Sequence, residues 1–435
     1  MNLDKFFYPE SIAVVGASNK PGKVGYTLVK KLSNFQGKKY FVNIEGYYIG
    51  DIKTYRNLHE IHNEIGLLIV AVPAFSVKQV FLDAAKIGIK NVIIISAGFS
   101  ESGRKDLEQE LLDIARRHGM RILGANDFGI VNTSNNLDCT FAKLTPAKGN
   151  AALVSQSGAI WSIFAEYSIT ENIGFSKFVS LGDMWDLDFS DAIEYLSKDK
   201  ETKLIVLYIE SLRDGRKFMK AVKKSKKPII VIKSGKTIRG AAAVHSHTGS
   251  LAGSYEIYKA ACKQAGAIFV DDLTEALVLS KFLQMQHKPR SKRTIVVTNA
   301  GGPGVLLTDF LVENNIELVR IPKSIKFNLP KSASLANPID VLGDAKSDRF
   351  ADVLNKLVKE KFFDILIVVL TPQDMTDDKN IAAELIKFKK FSNKNVIACF
   401  IGPLSFAESI EALEKHNIPV FFELDGAAKL FKYLI

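Results

Sequence analysis

The stretch that decides the fold is Ile12-Ala13-Val14-Val15-Gly16-Ala17-Ser18-Asn19-Lys20-Pro21-Gly22-Lys23-Val24-Gly25. A short β-branched run breaks into small residues and glycines, then resumes as the start of a helix. Glycines allow the backbone to approach a phosphate closely, and the amides of a helix N-terminus favour its charge. The stretch is not a P-loop. Five residues separate Gly16 from Gly22, and Val24 stands where a magnesium-binding Ser or Thr is needed. It also departs from the dinucleotide fingerprint, because Ser18 occupies the second glycine position. The next strand ends at Asn43 with no acidic residue poised for a ribose diol, Glu45 lying two further on. Nucleotide-phosphate binding is the expectation and ordinary NAD binding is disfavoured. The plain alternative is a tight turn that packs a helix on its strand.

Outward from that turn, β-branched runs alternate with longer amphipathic stretches, the pattern of parallel sheets with crossover helices. One series occupies the first third of the chain, a second begins at Ala151–Ser155 and a third at Thr294–Thr298. The 435 residues amount to about three domains by the usual prior. The basic, Pro-containing segment 286–293 is a linker candidate, and a short polar turn near Lys148-Gly149-Asn150 marks the other boundary. The second and third series repeat the opening design in Ser155-Gln156-Ser157-Gly158 and Asn299-Ala300-Gly301-Gly302-Pro303-Gly304. Each turn presents amides and a helix dipole to an anion, so the two could face one shared anion.

Composition narrows the class. The chain is 47% hydrophobic and 24% charged, which excludes a disordered or collagen-like protein. Three widely spaced cysteines, Cys139, Cys262 and Cys399, form neither a metal knuckle nor a disulfide framework and fit a reducing compartment. No apolar run approaches the roughly 20 residues of a membrane span, and the N-terminus lacks a signal peptide. The expectation is a cytoplasmic protein with no membrane partner. The net charge is +11, yet the densest basic stretch, Arg213 to Lys227, carries Phe218, Ala221 and Val222 at helical spacing. It reads as one solvated helix face, without the interleaved aromatics of a nucleic-acid binder.

Of seven histidines, His245 and His247 stand out in the small-residue stretch from Gly235 to Ser254, which reads as a long loop after a buried strand. No nearby Cys, Asp or Glu completes a metal site, and no Gly-x-Ser-x-Gly elbow supports a serine hydrolase. Nucleophilic imidazole, able to carry a phosphoryl group, remains beside the alternative of a histidine with no chemistry.

These stretches together resemble the α subunit of the NDP-forming acyl-CoA synthetases, typified by ADP-forming acetyl-CoA synthetase, in the succinyl-CoA synthetase superfamily. The likeness runs through Val15–Ser18, Ala71-Val72-Pro73-Ala74, Ile95-Ser96-Ala97-Gly98-Phe99, Ser155–Ala159, Val179–Gly182, Tyr208-Ile209-Glu210-Ser211, Ser246-His247-Thr248-Gly249-Ser250, Thr298–Gly304 and Asn337–Val341. It implies three consecutive parallel-sheet α/β domains. Residues 1–147 would be a Rossmann-like CoA-binding domain; residues 148–286 and 287–435 would be two flavodoxin-like, succinyl-CoA synthetase-like domains.

The resemblance further implies CoA held by Gly16, Ser18, Lys23, Val72, Pro73, Ser96, Ala97 and Gly98. Phosphate would be held by Ser155, Gln156, Ser157 and Gly158 and by Asn299, Gly301, Gly302 and Gly304. His247 would be the phosphorylated residue and Glu210 the carboxylate that orients it; read without the family, Glu210 is a surface carboxylate pairing with Arg213. Magnesium and ADP or ATP would come only through an ATP-grasp β subunit, with a homodimeric core, no nucleic acid and no metal in this chain. Two positions depart from the family: Gly124-Ala125-Asn126 replaces Gly-Pro-Asn, and Asp183 replaces an Asn. A non-catalytic CoA- or acyl-CoA-binding regulator of the same fold is the alternative, and a NAD-dependent dehydrogenase a distant third.

Overall fold

The computed structural model describes residues 3–248 and 253–434; of Glu101 and of residues 245–248 it describes the backbone alone. Contacts divide the chain into two compact units, the first ending at Asp271 and the second beginning at Asp272.

The first unit contains two sheets. It opens with α1 (Asp4–Phe7), β1 (Ser11–Val15), α2 (Val24–Lys31), β2 (Lys38–Val42), a small hairpin of β3 (Tyr48–Ile49) and β4 (Ile52–Lys53), and β5 (Leu67–Val70). It continues with α3 (Ala74–Lys86), β6 (Asn91–Ile94), α4 (Lys105–His118) and β7 (Arg121–Gly124). The first sheet is parallel, in the order β2-β1-β5-β6-β7. Its central strands are buried along their whole length, as both-face coverage by helices requires.

The second sheet takes β8 (Ile130–Asn132), β9 (Leu137–Asp138), β10 (Lys148–Ser155), β11 (Phe175–Ser180), β12 (Leu204–Ile209), β13 (Ile229–Lys233) and β14 (Ile268–Val270). Around it lie α5 (Gly158–Thr170), α6 (Phe189–Leu196), α7 (Gly215–Lys224), α8 (Ile238–Thr248) and α9 (Tyr255–Ala265). The order is β14-β13-β12-β10-β11-β8-β9, and β8 joins β11 antiparallel. An all-parallel sheet was expected here. The antiparallel edge comes from residues N-terminal to position 148, where strands of three and two residues are too short to show a period.

The stretch read as a long loop after β13 is corrected as well: α8 occupies Ile238–Thr248. Thr237 Oγ1 accepts from the Gly240 amide at 3.0 Å, and Ala241-Ala242-Ala243 supplies helix propensity that small-residue composition had disguised. The basic run at α7 folds as expected, burying Phe218, Ala221 and Val222.

The second unit holds α10 (Leu273–Met285), β15 (Arg293–Thr298), α11 (Gly301–Glu313), β16 (Glu317–Leu318), β17 (Ile339–Asp340), α12 (Ser347–Leu357) and β18 (Ile365–Leu370). It ends with α13 (Asp378–Phe391), β19 (Asn395–Phe400), α14 (Ala407–Lys415), β20 (Val420–Phe421) and α15 (Leu424–Leu434). The sheet order is β16-β15-β18-β19-β20, with β17 also pairing β15. Segment 286–293 is anchored rather than loose: the buried Gln286 side chain donates to Val396 O at 2.6 Å and accepts from the Val396 amide at 3.0 Å. Among the described residues no helix is long and apolar enough to cross a membrane.

The segment after β11 is one of the links between the two sheets of the first unit. Asp183, Trp185 and Leu187 donate their amides to Ala125 O, Gly124 O and Ile122 O, so the segment runs down the free edge of β7. Asp186 closes the zip by accepting from Arg121 at 2.6 and 3.1 Å and from the Ile122 amide at 3.0 Å. At its top Asp127 is buried (2% exposed). Burial pushes its carboxyl well above the usual carboxylate range, and the neighbouring Asp183 charge adds to the shift.

A carboxyl whose affinity for a proton is raised by folding binds more protons in the native than in the unfolded state between the two pKa values. Its contribution therefore falls as pH rises through that window. Asp127→Asn keeps the acceptor for the Gly129 amide while removing the titration. The variant should gain stability relative to the parent as pH rises above the ordinary carboxylate pKa of about 4. Denaturant midpoints across that range check this; a difference that does not change with pH contradicts it.

Candidate functional site

In each of the three sheets the chain crosses from one side of a central strand to the other, leaving a crevice at the strand C-termini where α/β proteins hold ligands. The crevices lie between β1 and β5, between β10 and β12, and between β15 and β18. All three turns singled out in the sequence fall at these positions.

At the β1/β5 crevice Gly16 has φ +99°, and a Cβ there would sit 2.3 Å from Ala71 O. Only glycine lets the turn pass so close to the next strand. Ser18 Oγ accepts from the Lys20 amide at 3.1 Å, closing the turn locally. Lys23 is exposed at the N-cap of α2, which has no side-chain cap. Val72 and the exposed Pro73 lead into α3, whose N-terminus is also uncapped by a side chain. Ser96 Oγ donates to Val72 O at 2.5 Å, and the exposed Ala97 and half-buried Gly98 follow. All eight residues therefore line the C-terminal ends of β1, β5 and β6. Asn43, at the position a ribose-binding acid would occupy, instead donates to Ala17 O at 2.7 Å and braces the turn.

At the β10/β12 crevice Gln156 Oε1 accepts from the amides of Glu210 (2.7 Å) and Ser211 (2.8 Å), and its Nε2 donates to Ser211 Oγ at 3.2 Å. Ser155 Oγ donates to Ser157 O at 2.7 Å. Both side chains are thus engaged by the protein, and what the turn presents outward is backbone at the N-terminus of α5, where Ser157 is the N-cap and makes no side-chain cap. Glu210 is buried, 5% exposed, directly after β12. It does not pair with Arg213, whose Nη1 donates to the carbonyls of Met184 and Trp185 at 2.6 and 2.9 Å and to that of Asp186 at 3.3 Å. Beside it Lys233 ends β13, its ammonium 4.9 Å from the Tyr258 ring centroid. Burial lowers the affinity of Lys233 for its proton, while the Glu210 charge acts the other way. His247 belongs to the last turn of α8, the helix after β13; its side chain lies outside the described residues.

In the second unit Asn299 repeats the role of Gln156. Its Oδ1 accepts from the Thr371 amide and hydroxyl at 3.0 and 3.1 Å, and its Nδ2 donates to Thr371 O and Gln373 Oε1 at 3.1 and 2.7 Å. An amide side chain thereby ties the end of β15 to the end of β18. Exposed Gly301 and Gly302 then open α11, with Gly304 buried in its first turn.

Residues 124–129 were noticed in the sequence only as a departure. The Asn126 amide donates to Ser96 O at 3.0 Å, on the rim of the first crevice. Phe128 lies so close to the second that a Cβ on Gly158 would be 2.2 Å from its ring. One short loop therefore touches both. Among the described residues no cluster of three His, Cys, Asp or Glu side chains is arranged to hold a metal.

Comparison with known proteins agrees with this geometry. Residues 10–133 match the CoA binding domain family and residues 148–283 the succinyl-CoA ligase like flavodoxin domain family. The α subunit of ADP-forming acetate–CoA ligase II from Pyrococcus furiosus is 41% identical, over 96% of this chain and 94% of the relative. The ADP-forming acetate–CoA ligase of Methanocaldococcus jannaschii is 40% identical over 98% of this chain, which spans 62% of that longer protein. The solved acetyl-coenzyme A synthetase 1 of Ca. Korarchaeum cryptofilum, in complex with phosphate and ADP, superposes with a TM-score of 0.92 at 35% identity, over 100% of this chain and 96% of that one. The chain belongs to the ADP-forming acetate–CoA ligase family, the NDP-forming acyl-CoA synthetases, and corresponds to the α subunit.

Proposed function

We propose that this chain carries out the acyl and phosphoryl half-reactions of an ADP-forming acyl-CoA synthetase in the cytoplasm. Phosphate attacks the thioester carbon of acyl-CoA, releasing CoA and forming acyl phosphate. The imidazole of His247 then takes the phosphoryl group, releasing the acid, and a partner subunit transfers it to ADP. The observation that carries this reading is the loop 124–129, which contacts both Ser96 and Gly158. A thioester reached from the first crevice and a phosphate held at the second must meet above that loop.

CoA phosphates suit the amides and uncapped helix N-termini around Gly16, Ser18 and Lys23, with Val72, Pro73, Ser96, Ala97 and Gly98 lining the way to the loop. Phosphate suits the backbone of Ser155 to Gly158, and the Asn299 to Gly304 turn is proposed as a second phosphate-binding turn. Gln156 and Asn299 act there by fixing backbone, since their side chains are engaged. Glu210, held at its amide by Gln156, is the proposed orienting group for His247; a buried carboxylate favours the imidazolium that forms as the phosphoryl bond is made and broken. The nucleotide, with its magnesium, would be bound by an ATP-grasp β subunit docked on a homodimeric core. A purely regulatory CoA-binding role is the second reading, favoured by the departures at Ala125 and Asp183, which lie at the proposed acyl centre.

Two outcomes are expected. CoA should bind the isolated chain far more tightly than NAD. Lys23→Glu should weaken CoA about tenfold, roughly 1.4 kcal/mol, and flatten the salt dependence. Calorimetric titration checks both, and tight NAD binding without CoA binding would overturn the crevice assignment. Acyl-CoA with labelled phosphate should label His247 in an acid-labile, alkali-stable form. His247→Ala should abolish the label while CoA still binds, His245→Ala should cost little, and Glu210→Gln should slow transfer about 10- to 1,000-fold, roughly 1.4–4 kcal/mol of barrier. Label that persists in His247→Ala contradicts the carrier, and an unlabelled parent that binds CoA supports the regulatory role.

A further inference from the structure

The zip between β7 and the segment after β11 borders an open cavity of about 400 Å³ on the side of β7 where Arg121 begins the strand, at the opposite end from the Gly124–Gly129 loop. Its apolar wall is made by Leu112, Met120, Ile122 and Trp185. Three arginines, Arg116, Arg121 and Arg213, converge on it with the single acid Asp186. Arg121 is matched by Asp186 at 2.6 Å, and Arg116 by the half-exposed Asp113 at 3.2 Å.

Arg213 is not matched by any acid among the described residues. Its Nη1 is fixed by the carbonyls of Met184, Trp185 and Asp186, so the guanidinium is held in place while its Nε and Nη2 donors make no hydrogen bond there. A rigidly held guanidinium with a free edge, flanked by two more, is the arrangement that recognises a planar or tetrahedral oxyanion. The volume is that of a small-molecule site, and the apolar wall asks for a hydrocarbon body behind the charged head.

We propose that this cavity is a second ligand site, taking a small amphipathic anion: a carboxylate or phosphate monoester on an aromatic or aliphatic body. The head group pairs with Arg213 and Arg116, and the body lies against Met120 and Trp185. The site is distinct from the CoA crevice, which opens at the C-terminal ends of the strands, and the proposal does not rest on the enzymatic reading. Part of its wall comes from two segments that lead to that reading's centre, with Trp185 and Asp186 close after Asp183 and Arg213 close after Glu210.

Trp185 is the reporter, since the only other tryptophan, Trp161, is fully buried on α5. The chain is titrated with phenylacetate, phenyl phosphate, inorganic phosphate and benzyl alcohol while fluorescence is recorded, without CoA and again with saturating CoA. Phenylacetate or phenyl phosphate should give a saturable change that Trp185→Phe abolishes, and which of them does so identifies the head group. Benzyl alcohol, lacking charge, and inorganic phosphate, lacking a body, should bind at least tenfold more weakly. Arg116→Gln, on an exposed helix face, should weaken the organic anion about tenfold with unchanged thermal stability, and Arg213→Lys, which keeps the charge but loses the fork, should do the same. No saturable change, displacement by CoA, equal binding of benzyl alcohol, or affinity unchanged in both arginine variants would overturn the proposal.

Discussion

The first unit depends on the hydrogen-bonded zip by which residues 183–187 cover the edge of β7. Without it β7 would be an exposed edge strand. With it, an apolar core runs continuously from Phe6 and Phe7 through β1 and β10 to α9. The loop between β7 and β8 is then held against both crevices at once. In the proposed reaction a group passes from a thioester to phosphate, which needs the two reactants within bonding distance, and holding both crevices in one unit would favour that proximity.

Gln156 and Asn299 show how the crevices are kept open. In a doubly wound sheet the central strand and its neighbour diverge at the switch point, and each of these amides spans the gap with bonds to the neighbour's backbone. An amide is suited to this because it donates and accepts at once. The helix that follows is left with backbone amides directed outward, which is what an anion requires. The same design at three switch points, with Asn43 bracing the first turn from β2, is more informative than any one glycine motif.

Much of this was legible in the sequence. The buried strands announced themselves as β-branched runs, and the glycine turns were placed at the ends of the right strands. The function followed from the order of many weak motifs, not from one strong one. What escaped had physical reasons. Strands of two or three residues have no measurable period, so the antiparallel edge from β8 was missed. Alanines among glycine, serine and histidine read as loop, although Thr237 and the Ala241–Ala243 run start a helix. The side chains of Gln156 and Asn299 find their partners on distant strands, and such partners cannot be inferred from local sequence. Asp127 and Asp183 stand 56 positions apart, and only the zip makes them neighbours.

In the proposed reaction the thiol end of CoA reaches the loop between the two crevices. All three native cysteines are buried, so a cysteine introduced at the exposed Asn126 would be the reactive thiol of the chain. Thiol–disulfide exchange of the Asn126→Cys variant with CoA disulfide, followed by intact mass, measures that geometry directly. The account predicts capture of one CoA at Cys at a rate that saturates with CoA disulfide and is suppressed by Lys23→Glu, with a control cysteine at exposed Lys359 reacting slowly and without saturation. Equal, unsaturable capture at both positions would contradict it.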